Sequence, residues 1–150
     1  MIHSGLPTRK RRAEPEFQMQ AALFTWSRHP AVRKSFPELD LLSCSLNGVK
    51  LTAAQAGKAK AAGMLKGEYD IKLPVARGPF IGLIIEMKAG RNKLTPEQIW
   101  YGERMAQEGH ITAACWDWED AKAIIIGYLS QDLIVRGLDG SVSRPVVKSV

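Results

Sequence analysis

The chain has 150 residues, 45% hydrophobic and 24% charged, with a formal net charge of +6. That length suits one domain with a real core, the balance excludes a disordered chain, and the surplus of Lys and Arg favours an acidic partner such as nucleic acid. No apolar run reaches transmembrane length and the start, "MIHSGLPTRKRRAEPE", lacks a signal-peptide core, so a soluble, cytoplasmic protein with no membrane partner is expected.

Residues 1–13 hold a "RKRR" cluster, Arg9, Lys10, Arg11 and Arg12, with no apolar period. They read as a basic flexible arm, a solubilising tail in the plain view and a phosphate-contacting arm in the favoured one. From Pro15, "PEFQMQAALFTWSRHP" is helical, with Phe17, Ala21 and Phe24 near one face and Pro30 as the stop. Glu16 and Gln20 share a helix face one turn apart. "LLSCSLNG" is a short apolar stretch ended by the Asn47-Gly48 turn. Cys44 here and Cys115 later read as buried thiols in a reducing compartment. "TAAQAGKAKAAG" is a short helix capped by Thr52, closed by Gly63 and basic through Lys58 and Lys60.

"GEYDIKLPVARGPFIGLIIEMKAG" reads as two strands joined at "ARGP", the first kept short or at an edge by Pro74. "KLTPEQIWYGERMAQEG" is a helix with Thr95 as N-cap, Pro96 at the first position, Gln98 completing a capping box and Gly109 as stop. "HITAACWDW" is a further buried strand, and "EDAKAIIIGYLS" a helix starting near Asp117 or Trp118. Residues 14–130 thus form one α/β domain with a mixed central sheet flanked by helices. Residues 131–150 are an extension with strand-like pieces.

The strand "FIGLIIEMKAG" carries Glu86 and Lys88 at its far end. Alternation puts Gly82, Ile84, Glu86 and Lys88 on one face and Leu83, Ile85 and Met87 on the other. Burying both charges costs several kcal/mol unless they are compensated. Either the pair is a salt bridge at a solvated strand end, or Glu86 is an oxygen ligand beside a reacting group. Asp70 favours the second reading, because the hairpin brings it alongside Glu86, and two close carboxylates want a shared proton or a cation. Hard oxygen ligands suit Mg²⁺ or Mn²⁺ and not zinc. The metal would polarise a phosphoryl oxygen, with the lysine offsetting charge.

These motifs resemble the PD-(D/E)XK nuclease superfamily, and more narrowly its stand-alone phage and bacterial VRR-NUC branch. The likeness runs over residues 14–129: "LNG" at 46–48, Gly63-x-x-x-Gly67-x-x-Asp70, the "IEMK" strand, the "TPEQ" helix and "AACWDWEDAKAIIIGYL". It implies a restriction-endonuclease-like core and a metal held by Asp70, Glu86 and the Met87 carbonyl. It also implies Lys88 as catalytic lysine, with Gln98 and Glu16 beside the site; Glu14 competes with Glu16 but lies at the helix start. One departure is Tyr69 where the family has proline before the aspartate, a backbone-shaping position and not a ligand.

The activity implied is a metal-dependent, structure-selective DNA endonuclease acting on Holliday (four-way) junctions as a homodimer. A monomeric nuclease of flaps or ends, and a DNA-binding accessory protein with an idle site, are the alternatives. With no helix-turn-helix or zinc module in the sequence, recognition by shape and backbone is expected. Lys58, Lys60, Arg91 and Lys93 are candidate phosphate contacts, against the plainer reading of a solvated surface.

Overall fold

The computed structural model describes residues 14–45, 51–134 and 146–147. The arm with Arg9, Lys10, Arg11 and Arg12, the Asn47-Gly48 turn and most of the tail lie outside the described residues.

The sheet is organised by the most apolar run of the chain. Strand β3 (Gly82–Met87) is buried at every position. It pairs antiparallel with β2 (Ile71–Leu73) and parallel with β4 (His110–Cys115), while β1 (Ser43–Cys44) pairs antiparallel with β2. The sheet order is therefore β1-β2-β3-β4. A parallel pair needs a crossover, and helix α4 (Pro96–Gln107) supplies it. The mixed sheet between helices is the α/β class that the sequence implies.

The two faces of β3 divide as alternation predicts. Leu83, Ile85 and Met87 join Leu23 and, from the helix over Trp118–Leu129, Ile124, Ile125 and Tyr128. Ile84, on the opposite face, packs against Tyr69 and Tyr101 of α4. Each fully buried Leu or Ile contributes about 1.5–3 kcal/mol, so the strand bearing Glu86 is held from both sides.

Several expectations are corrected. Helix α1 (Glu14–Arg28) turns Leu23 inward, fully buried, while Phe17 stays 73% exposed and Ala21 is exposed. The inward stripe runs through Met19, Leu23 and Trp26, because packing on the sheet and the last helix sets the face. The first helix does stop at His29-Pro30, as expected, but Pro30 also opens a second helix, α2 (Pro30–Ser35), with His29 as N-cap. Proline loses nothing at a first helical position, where the N–H has no partner. The His29 Nδ1 accepts from Ala31 N at 3.2 Å. A 3-10 turn follows over Pro37–Leu41. Cys44 is exposed, not buried, since β1 is only a two-residue edge strand; Cys115 is buried as expected.

Helix α3 (Ala53–Ala61) starts at Thr52 as expected, and Gln55 completes a capping box there. None of its residues is buried. The short β2 ends before Pro74, yet it lies between two strands and not at the edge. Helix α4 has the Thr95–Gln98 capping box, and the last helix, α5 (Trp118–Leu129), is capped by Asp117. In the tail, β5 (Leu133–Ile134) pairs with β6 (Val146–Val147). No helix among the described residues is long and apolar enough to cross a membrane.

Candidate active site

The register of β2 on β3 pairs Ile71 with Ile85 and Lys72 with Ile84. One step further, Asp70 falls opposite Glu86, and directly opposed residues share a face. The two carboxylates then grip each other's backbone. Asp70 N donates to Glu86 Oε2 at 3.0 Å, and Met87 N donates to Asp70 Oδ2 at 3.1 Å. Gly67 sets the approach to this hairpin. With φ at +93°, it lies where a Cβ would come within 2.5 Å of the Glu97 backbone in the first turn of α4.

Gln98, in that same turn, has two partners. Its Oε1 accepts from Thr95 N at 2.9 Å, closing the capping box, and its Nε2 donates to Glu86 Oε1 at 2.6 Å. Both readings of Gln98 hold together. The helix start is therefore what orients the carboxylate. Lys88 is buried on the same face, with Nζ 3.8 Å from Glu86 Oε1.

Glu16 arrives from the far end of the chain. Its Oε1 accepts from Ala89 N at 3.1 Å and from Asn92 Nδ2 at 3.4 Å, just past the end of β3. The carboxylate is close enough for its charge to be felt at Asp70. Thus Glu16, Asp70, Glu86, Lys88 and Gln98 converge from α1, the approach to β2, β3 and its end, and α4.

The electrostatics follow from burial. Glu86 is 4% exposed, and burial first, then the Asp70 charge, push its carboxyl up from 4.5 to about 8. Asp70 is also raised, mainly by burial and against the Met87 N–H that favours its charged form. One buried lysine does not balance these acids, so the pair holds a proton near neutrality. A divalent cation would relieve the same imbalance. Among the described residues no group of three or more His, Cys, Asp and Glu is gathered to hold a metal by side chains alone. Two carboxylates therefore need further oxygens, from backbone or water, which fits Mg²⁺ or Mn²⁺ and not the nitrogen and sulfur preferences of zinc. The Met87 N–H points to the Asp70 side, and in an extended strand the carbonyl of the same residue points that way too.

Among solved structures, a VRR_NUC domain protein shares this fold with a TM-score of 0.65 and 27% sequence identity, over 77% of this chain and 88% of that one. In fold, this chain is similar to VRR-NUC domain proteins. No protein-family profile and no curated protein matches it. Its mixed sheet and flanking helices, like that neighbour, fit a PD-(D/E)XK-like core.

Lys58 and Lys60 are exposed on α3, and Arg91 and Lys93 are exposed on the connection from β3 to α4, on either side of Asn92. Two residues at the site carry no motif that marks them. Asn92 bonds Glu16, and the Trp116 indole N–H donates to Asn92 O at 2.7 Å. A cavity of about 170 Å³ lined by Arg77, Phe80, Ile111, Tyr128 and Leu133 lies at the opposite end of the sheet, where Ile111 pairs with Leu83.

Proposed function

We propose that this VRR-NUC-like domain is a divalent-metal-dependent, structure-selective DNA endonuclease that hydrolyses phosphodiester bonds and resolves four-way junctions as a homodimer. The observation that carries the reading is the meeting of Asp70, Glu86 and Lys88 with Gln98 and Glu16 at the end of one rigid strand. A purely structural salt bridge has no use for a second buried carboxylate, Asp70, held against the Glu86–Lys88 pair.

Asp70, Glu86 and the Met87 carbonyl are the ligand set for Mg²⁺ or Mn²⁺. Such an ion, when bound, supplies Lewis-acid polarisation of a phosphoryl oxygen and lowers the pKa of a water. The protein supplies the rest. Gln98 and the Asp70 N–H fix the orientation of Glu86 from both oxygens. Lys88 places an ammonium where negative charge grows on the phosphate, and its burial strengthens that interaction. Glu16 adds an acceptor that can orient water at the strand end.

DNA as the substrate fits the net charge of +6. Lys58, Lys60, Arg91 and Lys93, with Arg9, Lys10, Arg11 and Arg12 of the arm, are the proposed phosphate contacts. They bind backbone and shape and do not read bases. Symmetric cutting of a four-way junction requires two equivalent sites, hence the two-fold homodimer.

The test is cleavage of a labelled four-way junction beside linear duplex, single strand and flap, with Mg²⁺ or Mn²⁺, and Glu86→Ala in parallel. Symmetric junction cuts that vanish in the variant support the reading. Preferential cutting of flaps or ends keeps the nuclease and rejects the resolvase. Binding without cutting under either metal rejects the catalytic assignment.

A further inference from the structure

The turn after β3 is tied down at both ends. Before it, Lys88 N donates to Cys115 O at 2.8 Å, continuing the β3–β4 ladder. After it, the half-buried Trp116 donates its indole N–H to Asn92 O at 2.7 Å. Within it, Asn92 N donates to Ala89 O at 3.1 Å, and Gly90 takes a φ of +57°. That is a tight turn whose first central residue needs positive φ. Two donors leave this bracket for one atom, since Ala89 N and Asn92 Nδ2 both reach Glu16 Oε1.

Such a bracket solves a specific problem. Glu16 lies near the start of α1, with a long side chain free to adopt several rotamers. A catalytic carboxylate needs a single orientation, which a rigid neighbouring frame supplies. The indole N–H is a donor only, and it is spent on a backbone carbonyl that would otherwise face solvent. Its bond therefore fixes the turn and not the core.

We propose that Trp116 and Asn92 are positioning residues that hold the Ala89–Asn92 turn as a bracket, setting the Glu16 carboxylate at the Asp70–Glu86 pair. The inference rests on the reading of this centre as a nuclease site. Trp116 acts on Glu16 through Asn92 and Ala89.

The experiment uses the full chain and two readouts. In Trp116→Phe, which keeps ring packing and removes the indole N–H, the Ala89 amide should exchange about tenfold faster by NMR, with Ile85 and Ala113 unchanged. Asn92→Asp, which sets a like charge against Glu16, should do the same without disturbing the fold. Unchanged exchange at Ala89 in both variants overturns the bracket. In cleavage, Trp116→Phe should lower kcat about tenfold at constant KM, and should add nothing in a Glu16→Gln background. Additive losses would make Trp116 a general structural residue and overturn the proposal. If the wild type cuts no DNA, the nuclease reading fails, and the exchange at Ala89 alone decides the bracket.

Discussion

Asp70→Asn should separate function from stability. The amide oxygen of asparagine can keep the Met87 N–H bond that Asp70 Oδ2 now accepts, while one of two close negative charges disappears. Glu86 rises from 4.5 to about 8, so the buried pair strains the metal-free fold by on the order of a few kcal/mol at high pH. Burial is the first cause and the Asp70 charge the second, and a neighbouring like charge of this kind is typically worth on the order of 1–2 kcal/mol. The sign follows from linkage. A carboxyl raised in the folded state stabilises fully below its unfolded value and loses that contribution as pH climbs to its folded value, here between about 4.5 and about 8. Metal-free Asp70→Asn should therefore melt about 3–6 °C higher than wild type at pH 8, with the gap shrinking toward pH 5. Mg²⁺ or Mn²⁺ should stabilise the wild type and leave the variant unmoved, and cleavage should be lost. Differential scanning fluorimetry across pH, with and without metal, reads all of this. A wild type most stable at pH 8 without metal, or a variant destabilised equally at every pH, would refute the reasoning.

Three further outcomes are expected. Lys88→Met should lower kcat for cleavage by about a hundredfold or more with junction affinity kept, because the buried ammonium acts on transition-state charge; parallel cleavage and fluorescence-anisotropy titrations check the split. Gly67→Ala should destabilise by about 2–4 kcal/mol in urea unfolding, since a Cβ would meet the Glu97 backbone at 2.5 Å and the φ of +93° disfavours any side chain. Tyr69→Phe should be neutral or stabilising by about 1 kcal/mol in the same assay, with cleavage unchanged, because the Tyr69 hydroxyl is buried without a hydrogen-bond partner. A loss of stability there would mean that the hydroxyl is bonded after all.

Much of this molecule is written in short-range pattern. Alternation along "GLIIEMK" assigns Glu86 and Lys88 to one face, and the packing of Ile84 apart from Leu83 and Ile85 agrees. The Thr95-x-x-Gln98 spacing specifies a capping box, and the box is there. The hairpin at "ARGP" predicts that Asp70 meets Glu86, and the register delivers it. Each follows from rules acting over two to four residues or across one tight turn, so the sequence by itself determined the strand platform, its acid pair and the helix that caps it.

Contacts between distant segments obey no such local rule. Phe17 and Leu23 are both large apolar residues on different faces of α1, and docking against β3 and α5 chose Leu23 for the core. Pro30 both stops one helix and starts another, a choice that the His29 cap and the packing of α2 on α1 resolve. Glu16 reaches Ala89 and Asn92 across more than seventy residues of chain, and Trp116 ties Asn92 from just past the end of β4. The raised pKa of Glu86 likewise comes from burial among elements that no spacing reveals. The residue types of the site were legible in the chain, but their shared orientation and electrostatics were decided by tertiary packing, where desolvation and fixed donors first act on them together.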